Sequence, residues 1–219
     1  MKDNKFETKA IREGYKASQE QEHSAAIFLT SSFTFDSAEQ AAQRFAKEEQ
    51  GNVYSRFTNP TVEAFQDKLA SLEGAESCLA TASGMSAIFA TIMALTKTGD
   101  HIVASHGMFG TTTVLLNTIV NKFGIEVTFV DLPDLVAWKD NIQSNTKLFI
   151  LETPSNPLGE VVDLRALATI SKEHNIVLAV DNCVMTPALQ KPLALGVDIV
   201  IHSATKYIDG QGRCLAGAI

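Results

Sequence analysis

Lys206 lies in Ser203-Ala204-Thr205-Lys206-Tyr207, directly behind the apolar run Ile199-Val200-Ile201 and His202. A lysine in a small-residue turn behind a buried strand would have a lowered pKa and could form an imine with an aldehyde. Most lysines are merely solvated, and for Lys206 alone that reading stays open. Ser203 and Thr205 beside it could offer hydroxyl donors to a phosphate. Asp181 closes the apolar run from Ile176 to Val180. A carboxylate there is desolvated and calls for a positive partner, which a protonated ring nitrogen, a metal ion or a helix N-terminus could supply. In Ser83-Gly84-Met85-Ser86 the glycine lets a ligand approach the backbone, and a following helix would present free N–H groups to an anion. A plain strand-to-helix turn explains the same residues. Tyr54 and Arg56 stand in Val53-Tyr54-Ser55-Arg56-Phe57; arginine suits bidentate phosphate binding, although a lone arginine there also reads as a surface residue. Taken together, these residues describe a site for an anion and an aldehyde.

The elements that must position them follow from periodicity. Asn59-Pro60 is an N-cap followed by proline at the first helical position. Val62, Phe65, Leu69 and Leu72 then recur at helical spacing until Gly74. Strands are expected at 77–80, 101–105, 126–130, 148–151, 176–180 and 199–201. Helices are expected at 85–95, 111–122, 135–142 and 164–174. This alternation predicts an α/β fold with a largely parallel sheet flanked by helices. In such a sheet, ligands bind outside the carboxyl ends of the strands. The segments 83–86, 152–157, 181–183 and 203–207 all follow expected strands and would line one crevice. Residues 1 to about 55 are less regular. One helix is expected there, capped by Asp36 or Ser37, with Ala41, Ala42 and Phe45 on one face. Cys214 to Ile219 reads as the start of another strand.

Composition narrows the function classes. The chain has 219 residues, 45% hydrophobic and 20% charged, enough apolar material for a full core. A net charge of -7 argues against nucleic acid or an anionic membrane as the main partner. Cys78, Cys183 and Cys214 are three in number and show no C-x-x-C spacing, and the histidines show no ligand spacing, so neither a disulfide framework nor a metal site is expected. Met1 to Lys9 has no apolar core of a secretory signal. Cys78 to Leu95 reads as a buried strand, turn and helix rather than a membrane span. No G-x-G-x-x-G follows an expected strand, which weighs against a dinucleotide site.

In order and spacing, Ser83-Gly84-Met85, Thr153-Pro154-Ser155-Asn156-Pro157, Asp181-Asn182 and Ser203-Ala204-Thr205-Lys206-Tyr207 resemble the Cys/Met-metabolism family of fold-type I pyridoxal-phosphate (PLP) enzymes. The likeness runs over essentially the whole chain. It implies that Lys206 bonds the PLP aldehyde, that Asp181 pairs with the pyridine nitrogen, and that Asn156 hydrogen-bonds the ring hydroxyl. The phosphate would be held by the N–H groups of Gly84 and Met85 with Ser203 and Thr205. Phe109, in Phe109-Gly110-Thr111-Thr112, would stack on the ring where many members carry a tyrosine. Tyr54 and Arg56 match the family's Tyr-x-Arg pair, which reaches the phosphate of a neighbouring subunit. A homotetramer built from catalytic dimers is implied, located in the cytoplasm.

Within the family, Phe109, His23-Ser24 and Asp209-Gly210-Gln211-Gly212-Arg213 lean towards γ-replacement in methionine biosynthesis and trans-sulfuration, with the succinyl group of O-succinylhomoserine exchanged for sulfide. The same chemistry with O-acetylhomoserine, a cystathionine synthesis and a γ-elimination are the alternatives, as is an inactive remnant that associates with a full-length partner. Lys206 would be the catalytic base, with Tyr54 sharing the proton traffic. Cys183 departs from the family's usual threonine and reads better as a packing residue than as a nucleophile. Family members are considerably longer than this chain. Residues 1–56 are thus expected to form an N-terminal arm serving the neighbouring subunit, and 57–219 an incomplete PLP-binding large domain. The C-terminal small domain and the residues that bind the substrate carboxylate would be missing, and the chain by itself is expected to be poorly soluble and inactive.

Overall fold

A computed structural model describes residues 4–219; residues 1–3 of the expected polar start lie outside it. The chain divides into two compact units, the first ending at Leu72 and the second running from Glu73 to Ile219. The sequence reading drew its division at 56/57. The observed break comes later because the capped helix is tied back to the segment before it. Phe28 donates its N–H to Thr61 Oγ1 at 2.8 Å, Asn59 Nδ2 donates to the Phe28 carbonyl at 3.1 Å, and Lys16 meets Asp67 at 3.4 Å.

The first unit holds α1 (Phe6–Arg12), α2 (Ala38–Phe45) and most of α3 (Pro60–Glu73). Sequence periodicity did not announce α1. Helix α2 begins where expected, with Ser37 Oγ accepting the Gln40 N–H. None of its residues is buried, so the anticipated apolar face is only partly covered, by Phe35 at 6.1 Å from the Phe45 ring. Between α1 and α2 the apolar island Ile27-Phe28-Leu29 is exposed, Leu29 to 94%.

The second unit is built on a five-stranded parallel sheet in the order β3-β2-β4-β5-β6. Its elements run β1 (Ala80–Thr81), α4 (Gly84–Leu95), β2 (His101–Ser105), α5 (Gly110–Val114), β3 (Glu126–Val130), α6 (Leu135–Asp140), β4 (Thr146–Glu152), α7 (Leu164–Glu173), β5 (Val177–Asp181), α8 (Thr186–Leu189), β6 (Ile199–Ile201) and β7 (Gly217–Ala218). Alternation along each strand sorts side chains to two faces. Val103, Phe149, Leu151, Leu178, Val180 and Val200 pack on one side with Trp138 of α6 and Leu167 of α7. Ile102, Ala104, Leu148, Ile150, Ala179 and Ile201 pack on the other with Ile88 and Ile92 of α4. Burial on both faces explains why these strands read as continuous apolar runs.

Three local differences from the sequence reading have physical causes. The helix expected over 111–122 is three pieces, because α5 continues as a π turn at Leu115–Ile119 and a 3-10 turn at Val120–Phe123. There Thr118 Oγ1 and Asn121 Nδ2 donate back to the carbonyls of Val114 and Asn117, a competition that loosens regular helices. The strand expected at 77–80 shrinks to β1, which finds its partner in the chain's last residues. It pairs antiparallel with β7, and Leu79 and Ile219 exchange backbone bonds beyond it. The turns at Thr186–Leu189 and Pro192–Leu195 were not anticipated, although each has a proline in its first two positions. The apolar stretch near Leu95 is the 12-residue α4, and among the described residues no helix is long and apolar enough to cross a membrane.

Candidate active site

Because the five strands are parallel, their carboxyl ends share one edge, and the exits of β2, β4, β5 and β6 carry Phe109, Asn156, Asp181, Ser203, Thr205 and Lys206. β5 ends on Asp181, β4 on Glu152, and the two are register partners. Asp181 also pairs in register with Ile201, the last residue of β6, so the Lys206 loop starts one strand away. The N–H of Asn182 donates to the Ile201 carbonyl at 2.9 Å and Cys183 Sγ donates to the Ser203 carbonyl at 3.5 Å, which lace the two exits together.

Helix α4 brings its N-terminus to the same place. A Cβ added at Gly84 would lie 2.5 Å from Ser203 Cβ and 2.9 Å from its Cα. Only glycine permits this approach. Ser83 and Ser86 form a reciprocal cap, so the Ser86 N–H is occupied. Gly84 and Met85, in the first turn, have no intrahelical acceptor for theirs. The Thr205 hydroxyl is already engaged, exchanging hydrogen bonds with the backbone of Ala216. Lys206 itself is exposed, not enclosed as its strand-end position suggested.

Asp181 is buried, 7% exposed, and one of its oxygens accepts the Cys183 N–H at 2.9 Å. Burial pushes its carboxyl up to about 6, against the pull of that hydrogen bond and of His202. Glu152 is pushed up to about 7, by burial and then by the Asp181 charge. Two desolvated carboxylates side by side need a cation or a proton. A protonated pyridine nitrogen satisfies that need at one end, and the first turn of α4 suits a phosphate at the other. The residues present therefore fit PLP.

Phe109 sits on the loop after β2, 48% exposed, with its N–H donated to Glu152 Oε2 at 2.8 Å. Asn156 is exposed on a turn closed by the Gly159 N–H to the Ser155 carbonyl. Cys183 is pushed up to about 11 by burial and by Asp181; at neutral pH it is a thiol, a poor nucleophile. Tyr54 and Arg56 belong to the first unit, where the Arg56 guanidinium lies 5.3 Å from the Tyr54 ring and 4.9 Å from the Phe57 ring.

Sequence reasoning placed Glu152 in a crevice-lining segment but gave it no role, although its signal was the one that drew attention to Asp181: a carboxylate closing an apolar run. It also passed over Glu73 and His202. They are far apart in sequence, yet Glu73 Oε1 lies 2.6 Å from His202 Nε2. No local pattern could announce that contact.

A family model described as Cys/Met metabolism PLP-dependent enzyme matches residues 7–219. The O-succinylhomoserine sulfhydrylase of Pseudomonas aeruginosa is 55% identical over 214 residues, 98% of this chain and 53% of its own length. An L-methionine gamma-lyase of Fusobacterium nucleatum subsp. nucleatum is 47% identical over 194 residues, 88% of this chain and 49% of its own. Among solved structures, one assigned to an O-acetylhomoserine (thiol)-lyase of Campylobacter jejuni superposes with a TM-score of 0.94 at 36% identity. The match covers 99% of this chain and 53% of that one, which carries N'-pyridoxyl-lysine-5'-monophosphate. The chain spans about half the length of the curated relatives it matches.

Proposed function

This chain belongs to the Cys/Met metabolism family of PLP-dependent enzymes, and on that footing we propose that the whole protein exchanges the succinyl group of O-succinyl-L-homoserine for sulfide, giving L-homocysteine and succinate. The observation that carries the reading is the buried Asp181, a carboxylate in want of a cation, one strand from the Lys206 loop, whose Ser203 meets Gly84 at the α4 N-terminus. The choice of substrate leans on the likeness to the Pseudomonas sulfhydrylase.

When bound, PLP supplies an electron sink beside the substrate's amino group. The chain's residues do the rest. Asp181 holds the ring nitrogen protonated. Gly84 and Met85 N–H groups, with Ser203 and, once its hydroxyl proton turns from the Ala216 carbonyl, Thr205, anchor the phosphate. Asn156 orients the ring from its hydroxyl side and Phe109 covers one face. Lys206 would bond the PLP aldehyde at rest and, as a free amine, would take the substrate's α-proton and help move the β-proton. The γ-carbon then loses its bond to the succinyl oxygen and gains one to sulfur. Phe109 has no hydroxyl, so Lys206 carries more of the proton traffic, with Tyr54 as the second candidate. Tyr54 and Arg56 act at the phosphate of a neighbouring subunit in a homotetramer of catalytic dimers, residues 1–56 serving as the arm that delivers them and 57–219 as the PLP-binding body, of which the part up to Leu72 folds with the arm.

Borohydride treatment of the protein should remove a visible PLP absorption band and leave a pyridoxyl label on the peptide that contains Lys206. Lys206→Ala should abolish the label and turnover while shifting the melting temperature of the cofactor-free protein little, since the side chain is exposed. A label elsewhere would end the assignment. Turnover measured with O-succinyl- and O-acetylhomoserine, with sulfide or cysteine, and with methionine alone separates sulfhydrylase, cystathionine-forming and γ-lyase chemistry. The succinyl ester with sulfide is expected to lead.

A further inference from the structure

Behind the site lies a buried polar cluster that the proposed chemistry does not use. Glu73, the last residue of α3, and His202, the first residue after β6, are 5% and 2% exposed. Glu73 Oε1 accepts from His202 Nε2 at 2.6 Å and from Asn182 Nδ2 at 3.1 Å. Asn182 Oδ1 in turn accepts from Gln190 Nε2 at 3.0 Å, and the same nitrogen donates to the Thr153 carbonyl at 2.9 Å. One network thus joins the exits of β4, β5 and β6. Asn182 is the neighbour of Asp181, and His202 opens the segment that ends in Lys206. His202 is also pinned by its backbone, exchanging N–H and carbonyl bonds with Ala218 of β7.

Burying so many polar groups is costly unless each is paired. Here His202 Nδ1 and Glu73 Oε2 lack a hydrogen-bond partner. An apolar filling would be cheaper for folding alone, so the cluster calls for another reason. Its electrostatic reach supplies one, because His202 favours the ionised form of Asp181. The titratable groups around that carboxylate are Glu152 on β4, Cys183 beyond β5 and His202 beyond β6. Of these, only His202 can bear positive charge.

We propose that Glu73 and His202 are positioning residues of the cofactor site: the Glu73 carboxylate fixes His202 with Nε2 as donor, and through Asn182 the pair holds the Asp181 and Lys206 segments in one register. The proposal rests on Asp181 facing the PLP ring nitrogen. Its test is PLP affinity and the pH titration of the bound-PLP absorption band, measured on the protein as its gene encodes it. Glu73→Gln keeps an acceptor oxygen but removes the charge that orients His202. It should weaken PLP binding at least fivefold and move the band's pH midpoint by about half a unit or more, with a melting temperature near wild type. Glu73→Ala should weaken binding further. His202→Gln should reproduce the Glu73→Gln spectrum, and serves if Glu73→Ala does not fold. Variants that melt earlier yet bind PLP with wild-type affinity and an unchanged band would overturn the proposal, leaving the pair a folding element. If Asp181→Asn loses PLP while Glu73→Gln retains it fully, the reading of the site stands and this inference alone fails. Wild-type protein without any PLP band would sink both.

Discussion

At the scale of single residues, the chemistry turns on how two carboxylates are buried. Asp181 and Glu152 hold their protons more tightly in the folded chain than in the unfolded one, at about 6 and about 7. A carboxyl whose folded pKa is raised contributes stability below its unfolded pKa, and that contribution is lost as pH rises through the folded value. Cofactor-free protein should therefore melt at progressively lower temperature as pH goes from about 4 to about 7. Asp181→Asn should flatten that decline, because a shift of roughly two units corresponds to at most about 3 kcal/mol. PLP should flatten it too, its pyridinium taking the place of the proton. Thermal melts across that range check all three curves, and a mutant slope equal to wild type would show that Asp181 ionises without penalty. Asp181 was legible as a charge closing an apolar run. Glu152 carried the same signal, and its tie to the Phe109 N–H appears only once β2 and β4 are neighbours.

At the scale of elements, the approach of α4 to the Lys206 loop is the constraint that bears on the cofactor. Gly84→Ala would drive a methyl group to within 2.5 Å of Ser203 Cβ and near its backbone. The loop or the helix must move, at about 1–3 kcal/mol. The larger effect should be on the cofactor, with phosphate affinity falling tenfold or more in equilibrium titration. Wild-type PLP affinity in Gly84→Ala would mean that the α4 N-terminus does not hold the phosphate. The limits of α4, β2, β3 and β6 were readable because caps and apolar runs are local. The interrupted helix after α5 and the β1–β7 pair were not. One depends on side chains bonding back to their own turn, the other on a partner at the far end of the chain.

At the scale of the whole molecule, the proposal places Arg56 and Lys206 of one complete site on different subunits. Arg56→Ala and Lys206→Ala should each be inactive alone. Co-refolded, they should regain activity, because a mixed dimer holds one site with both residues intact. No recovery on mixing would place Arg56 in its own subunit's site or outside catalysis. The exposed Ile27-Phe28-Leu29 island in the same unit is the kind of surface an arm presents to a partner.

By itself, the sequence determined the α/β alternation, the parallel sheet, the four strand-end segments and, through their combined likeness to one family, PLP as the cofactor. These are properties of periodicity and of residue type at short range. The tertiary structure decided which of those segments touch. It set Asp181 beside Glu152, closed Gly84 onto Ser203, and brought Glu73 to within 2.6 Å of His202. Such contacts depend on strand order and on how a helix end meets a strand end, and no neighbouring residues encode either.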